Sequence, residues 1–245
     1  MKRDPSLEIK HFSTLPHIWW GAKTRAGQKR YDNKITLMRR MCNISKARAV
    51  LEVGCGDGEF TKRLARAVTG KTKIIAIDVT PKAIERASIA VKQKNVTFRI
   101  ENIANLSLPN NSCDIICGVS ILHHVPLSAT LQEMYRVLKS GGEIFFTEPN
   151  MLNPHTFAGL HIPFLRKKME FSPEETAFIR WKLAQQIKEA RFMHVIVRNY
   201  DFLHPFTPPA LIPLIESLSA YLETIPLLKE ISGSLVVYAR KPSRI

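Results

Sequence analysis

Apolar residues in this chain cluster in two alternating ways. Short continuous runs such as Ile74-Ile75-Ala76-Ile77 and Ile115-Ile116-Cys117 predict strands over 48–53, 73–78, 96–101, 114–119, 143–148, 194–202 and 234–240. Continuous rather than alternating apolarity marks a parallel strand covered on both faces. Between the earlier runs, apolar residues recur at helical spacing over 59–69, 81–93 and 127–138. In the last of these, Leu127, Leu131, Met134, Tyr135 and Leu138 share a face, and Gly141-Gly142 is the stop. Thr80-Pro81 offers an N-cap followed by a first-turn proline. Ahead of the first strand, Tyr31, Ile35 and Met38 fall on one face of a predicted helix over 27–41.

The alternation breaks after Pro149. Residues 149–171 carry prolines and aromatics without a period. Ser172-Pro173-Glu174-Glu175 reads as a capping box opening a helix to about Ala190. Thr207-Pro208-Pro209 opens another, with Leu211, Ile215, Leu218, Leu222 and Ile225 along one face. Repeated strand–helix units predict an α/β fold, a three-layer sandwich.

The first strand ends in Glu52-Val53 and runs into Gly54-Cys55-Gly56-Asp57-Gly58. The second ends in Asp78. A strand feeding a glycine loop and a helix, then a strand with a terminal acid, suits a nucleoside: glycines let backbone approach it, and the acid accepts from ribose hydroxyls. The glycines stand two apart, and Glu59 occupies the place of a third dinucleotide glycine, so a pyrophosphate is disfavoured. A P-loop segment is absent. Carboxylates at this loop suit a ligand with an ammonium group and no phosphates, such as S-adenosylmethionine (SAM).

With these residues the chain resembles the class I SAM-dependent methyltransferases. Leu51 through Gly58 match that family's first motif, and Asp78 its ribose-binding acid. Asn102-Ile103 follow the third strand, Cys113-Asp114-Ile115-Ile116 open the fourth, and Leu138-Lys139-Ser140-Gly141-Gly142 precede the fifth. The resemblance covers roughly 48–150. It departs at Asn102, where many relatives carry Asp toward the adenine amino group; an amide oxygen still accepts that bond. The resemblance implies a Rossmann-like α/β/α sandwich whose seven-stranded sheet is mostly parallel, with the last strand antiparallel. It implies a cofactor site at Glu52, Gly54, Cys55, Gly56, Asp78, Val79, Asn102, Ile103 and Val119. His123 and His124 follow strand four, where methyl and acceptor meet in relatives, and either imidazole has the acidity of a base at neutral pH. A capping or packing role explains them as well.

Composition adds less. At 245 residues and 45% hydrophobic content the chain can bury one core. No signal-peptide run follows Met1, and no apolar stretch reaches the roughly 18 residues of a membrane span. The four cysteines form no metal-like pair, so no metal is expected, and they read as reduced thiols of a cytoplasmic protein.

The net charge is +15, and residues 1–48 hold twelve Lys/Arg against Asp4, Glu8 and Asp32. That cluster fits RNA, anionic lipid or an acidic substrate, or no partner beyond solvent. Trp19, Trp20, Gly21, Arg25 and Tyr31 interleave with it, as in a lid folded over the cofactor or an anchor on the core.

The expected layout is a helical lid over 1–47 and a SAM-binding domain over 48–245, with acceptor-pocket insertions at about 149–171 and 204–231. The expected activity is methyl transfer to a small-molecule acceptor at oxygen, with apolar pocket segments that suit an aromatic or lipid-like compound. Alternatives are an RNA methyltransferase and a SAM-binding scaffold without transfer activity. Against RNA, Gly118-Val119-Ser120-Ile121 lacks the Asn/Asp-Pro-Pro-aromatic signature of many amino-group methyltransferases. Oligomeric state is open.

Overall fold

Parallel pairing begins at β1 (Ala49–Val53), which lies between β2 (Lys73–Asp78) and β4 (Cys113–Val119). In this computed structural model, which describes residues 5–14 and 21–243, the sheet has seven strands in the order β3-β2-β1-β4-β5-β7-β6. β3 is Val96–Ile100, β5 Leu138–Pro149, β6 Met193–Tyr200 and β7 Ser234–Arg240. β7 inserts between β5 and β6 and is antiparallel to both. The expected fold class is therefore the observed one. The strand order reverses between β1 and β4, and that switch point opens a crevice at the carboxyl ends of the strands.

Successive strand residues point to opposite faces, so each apolar pair serves two cores. Leu51, Ile116, Phe146 and Val237 pack with Leu131 and Met134 of α5 (Leu127–Val137) and with Leu183 and Ile187 of α8 (Arg180–Glu189). Their neighbours Val50, Ile115, Phe145 and Val236 face the other way. They meet Ile35 and Met38 of α2 (Arg25–Met41) and Phe60 and Leu64 of α3 (Glu59–Ala67). Strands in both layers need no polar face, which is why their sequence runs are continuous.

Several boundaries differ from those predicted. α5 ends at Val137, and β5 starts at once with Leu138, before the glycines. Leu138 pairs with Cys113, and the register shifts before Ile115 meets Glu143. Gly141, at φ +75°, supplies the backbone for that irregularity. α8 starts at Arg180, eight residues after Ser172. Half of that box forms, since the Ser172 amide donates to Glu175 Oε2 at 2.8 Å. The other half is lost because Ser172 Oγ donates to Glu8 Oε1 at 2.8 Å. Residues 172–175 close as a turn.

Helix α1 (Pro5–Thr14) lies in the segment expected to be helical, ahead of the one helix delimited there, whereas α6 (Pro154–His161) and α7 (Pro163–Lys168) had no counterpart in the predicted elements. Of the apolar face expected after Thr207, only Ile215, Leu218 and Leu222 fall within α9 (Ile212–Leu222), and Leu211 and Leu218 are exposed. All four cysteines are buried and unpaired. Among the described residues, no helix is long and apolar enough to cross a membrane.

Candidate active site

A cavity of about 560 Å³ fills the crevice, mid-range for small-molecule sites at roughly 300–1,000 Å³. One wall is the loop after β1. Gly56 has φ +51°, and a Cβ built there meets nothing within 4 Å, so its backbone faces open space. At Gly54, φ +66°, a Cβ would stand 2.8 Å from the Ile121 side chain, so the loop and the turn after β4 close on each other only because that position is glycine.

Asp78 ends β2 and holds this loop. Its Oδ2 accepts the Gly56 amide at 3.0 Å and its Oδ1 the Thr80 amide at 2.9 Å. Burial raises its pKa, against the pull of those two amides. The Thr80 hydroxyl also bonds this carboxylate, and of its roughly four lone-pair sites one remains for a ligand. Asn102 spends one lone pair on the Ala104 amide at 2.9 Å, which leaves its side-chain oxygen one further bond. Cys55, Val79, Ile103 and Val119 complete this wall.

Glu52 is the exception among the expected cofactor residues. It is buried beneath the loop and does not line the cavity. Its Oε2 has no hydrogen-bond partner, and burial pushes its pKa up to about 8. A group that prefers to be neutral there is poorly suited to hold an ammonium group. Glu52 stands at the strand end as expected, but behind the residues that line the cavity.

The opposite wall is built from the short turn Leu122–His124, from α1 and from the turn at 172–176. Glu148, on β5, is fully buried, and its Oε1 accepts the amides of Ile121 at 3.1 Å and Leu122 at 2.9 Å. Its Oε2 lies 2.7 Å from His123 Nδ1. Burial pushes the Glu148 carboxyl up to about 7. His123 Nε2 points the other way, 3.8 Å from Glu175 Oε1. His124 Nδ1 stands 3.1 Å from Glu8 Oε2, and Phe12 packs edge-on against the His124 ring. Burial, then neighbouring His123, lowers the His124 pKa. Burial works against the Glu8 charge too, but His124 and the Ser172 hydroxyl hold its carboxyl below the usual range.

Helix α2 roofs the cavity with Arg30, Tyr31 and Lys34. Arg30 Nε donates to Asp201 Oδ2 at 2.6 Å, tying α2 to the segment after β6. Arg63 of α3 bonds Gln28 and Asp32 and fixes the helix from below. Lys34 is buried, which lowers its pKa to about 7, with Arg30 adding to the effect. Arg25 is exposed and lines nothing. Trp19 and Trp20 lie outside the described residues.

Residues 50–142 match the model of the methyltransferase domain family. The demethylmenaquinone methyltransferase of Geobacillus stearothermophilus is 30% identical over 186 residues, covering 68% of this chain and 79% of that protein. The chain belongs to the class I SAM-dependent methyltransferases. A ubiquinone biosynthesis O-methyltransferase of Xanthomonas oryzae pv. oryzae is 28% identical over 156 residues, 62% of this chain and 64% of that one. The fold is shared with phosphoethanolamine N-methyltransferase 2 of Haemonchus contortus, solved in complex with S-adenosyl-L-methionine. The TM-score is 0.62 and the identity 15%, over 86% of this chain and 53% of that one.

In this methyltransferase the segments expected to wall an acceptor contribute unequally. Asn153, His155, Leu160 and Phe171 reach the cavity from the 149–171 region, whereas from 204–231 only His204 and Pro205 do. Glu148, Glu175, Glu8 and Lys34 went unnoticed in the sequence. Lys34 alone carried a local signal, lying three residues after Tyr31 on the same helix face. The three glutamates are brought in from segments far apart in the chain.

Proposed function

We propose that this methyltransferase binds SAM along Gly54, Gly56, Asp78, Val79, Asn102 and Ile103, and methylates an oxygen of a small, partly apolar acceptor. The observation that carries the reading is the single cavity joining the Gly56–Asp78 wall to the His123–His124 wall. SAM supplies a methyl group already activated on a sulfonium, so the chain's tasks are alignment and exclusion of water. Asp78 keeps a lone pair for a ribose hydroxyl. Glu148 fixes the His123 ring, so that an Nδ1 proton donated to the carboxylate leaves Nε2 to take the acceptor's proton. Phe12, Leu160 and Phe171 give the acceptor side an apolar lining. Residues 1–47 act as the lid, with Arg30 and Lys34 turned inward rather than offered to a nucleic acid. The names of the relatives, which concern demethylmenaquinone and ubiquinone biosynthesis, favour hydroxylated quinol-like rings as first acceptors to try.

The test is transfer of labelled methyl from SAM to a panel of hydroxylated aromatics and quinols, with total RNA in parallel. Methyl ethers of a ring compound are expected. Label incorporated into RNA alone overturns the acceptor class, and tight SAM binding without transfer to anything overturns the enzymatic reading of the acceptor wall.

A further inference from the structure

The acceptor wall holds more acid and imidazole than proton transfer needs. His123, His124 and Glu175 each offer a ligand atom, and these atoms lie within 4.8 Å of one another. Their side chains are 3%, 10% and 9% exposed, and Glu8 beside them is 7% exposed. We propose that His123, His124, Glu175 and Glu8 form a binding site for a divalent first-row transition-metal ion, which clamps α1 onto the acceptor wall.

Four observations support it. First, His124 Nδ1 and Glu8 Oε2 are buried and face each other at 3.1 Å as an ion pair, with no other polar partner on either atom. Two atoms at that spacing match two ligands on one tetrahedral ion, which stand roughly 3.3 Å apart for bonds of about 2.0–2.1 Å. Second, Ser172 holds the far oxygen of each carboxylate. Its hydroxyl donates to Glu8 Oε1 and its amide to Glu175 Oε2, both at 2.8 Å. The other oxygens, Glu8 Oε2 and Glu175 Oε1, are the ones beside the two imidazoles. Third, Glu148 takes His123 Nδ1, the carboxylate–histidine arrangement that orients an imidazole ligand by its second nitrogen. Fourth, the buried carboxyl groups of Glu8 and Glu148 and the half-buried one of Glu175 surround two imidazoles, and a dication balances charge that burial otherwise penalises.

Two nitrogens and two oxygens suit zinc, cobalt, nickel or ferrous iron, whereas magnesium and calcium take oxygen shells. The expectation of no metal weighed only cysteine spacing. The four donors come from α1, the turn after β4 and the turn at 172–175, so they share no sequence motif. Ligation and base duty exclude each other at His123 Nε2, so a loaded site is a closed state without that base. Metal binding does not depend on methyl transfer, and the two readings fail separately.

The test is Co²⁺ titration of the full chain after chelator treatment, followed by visible absorption. The expected result is a single equivalent with a tetrahedral spectrum, displaced by Zn²⁺, and a higher melting temperature when loaded. E148Q should weaken binding about 10–100-fold, the range for a partner behind a ligand. H124N and E8Q should weaken it at least as much while keeping cooperative unfolding by circular dichroism. H161Q, at an exposed histidine on α6, should bind as wild type. Absence of a tetrahedral Co²⁺ spectrum in the wild type overturns the proposal. So does unchanged affinity in folded H124N and E8Q, which would place the ion on surface histidines.

Discussion

His123 Nδ1 and Glu148 Oε2 stand 2.7 Å apart at the base of the acceptor wall, both almost wholly out of solvent. The same carboxylate holds the two amides ahead of the histidine, so ring and turn are fixed together. His123→Ala is expected to lower turnover roughly 10²–10⁴-fold with SAM affinity nearly unchanged. Glu148→Gln should lower turnover and alter the acidic limb of the pH–rate profile, because an amide can no longer enforce the same tautomer. Near-normal turnover and unaltered profiles in both variants would leave alignment alone as the source of rate.

Glu52 and Glu148 make stability depend on pH in an unusual direction. Burial raises both, to about 8 and about 7, above an ordinary value of 4.5. Their contribution is therefore fully present below about pH 4.5 and is lost as pH rises through 7 and 8. Glu52→Gln removes one of these ionisations without emptying the site. The variant is expected to gain stability over wild type at pH 9, on the order of 1–3 kcal/mol, and to match it near pH 5. Thermal melts across that range check this. A variant that is less stable than wild type at pH 9 would show that the Thr61 hydroxyl stabilises the charged form by more than burial costs it.

The Arg30–Asp201 pair ties α2 to the segment after β6. The two side chains are 21% and 3% exposed, and removing the guanidinium leaves the Asp201 carboxylate without its ion-pair partner. Arg30→Ala should cost about 3–5 kcal/mol, as for a broken buried pair, measured by urea unfolding. A loss below about 1 kcal/mol, the exposed-pair range, would mean that α2 is held by its apolar face instead.

The strands and the cofactor loop were legible because their physics is local. An interior parallel strand must be apolar on both faces, and a loop at positive φ needs glycine at Gly54 and Gly56. The seventh strand's direction came only from family resemblance, since periodicity says nothing about pairing partners. The capping box at Ser172 misled because its hydroxyl had a tertiary alternative in Glu8, 164 residues away in sequence. Helices α6 and α7 are short, and their prolines sit at first-turn positions that read equally well as loop. Glu52 was placed in the site by its neighbours, but it stands behind the residues that line the cavity. The acceptor wall was half visible: His123-His124 are adjacent, while Glu8, Glu148 and Glu175 meet them only through the fold.

The most direct test of the cofactor assignment is calorimetric titration of S-adenosylhomocysteine into the wild-type chain, Asp78→Ala and His123→Ala. Wild type and His123→Ala are expected to bind alike, because His123 lies on the acceptor side. Asp78→Ala should lose about 1.5–3 kcal/mol, roughly 10- to 150-fold in affinity, as it removes a charged acceptor for a ribose hydroxyl. Unchanged affinity in a folded Asp78→Ala protein would contradict a cofactor seated on the β1–β2 wall.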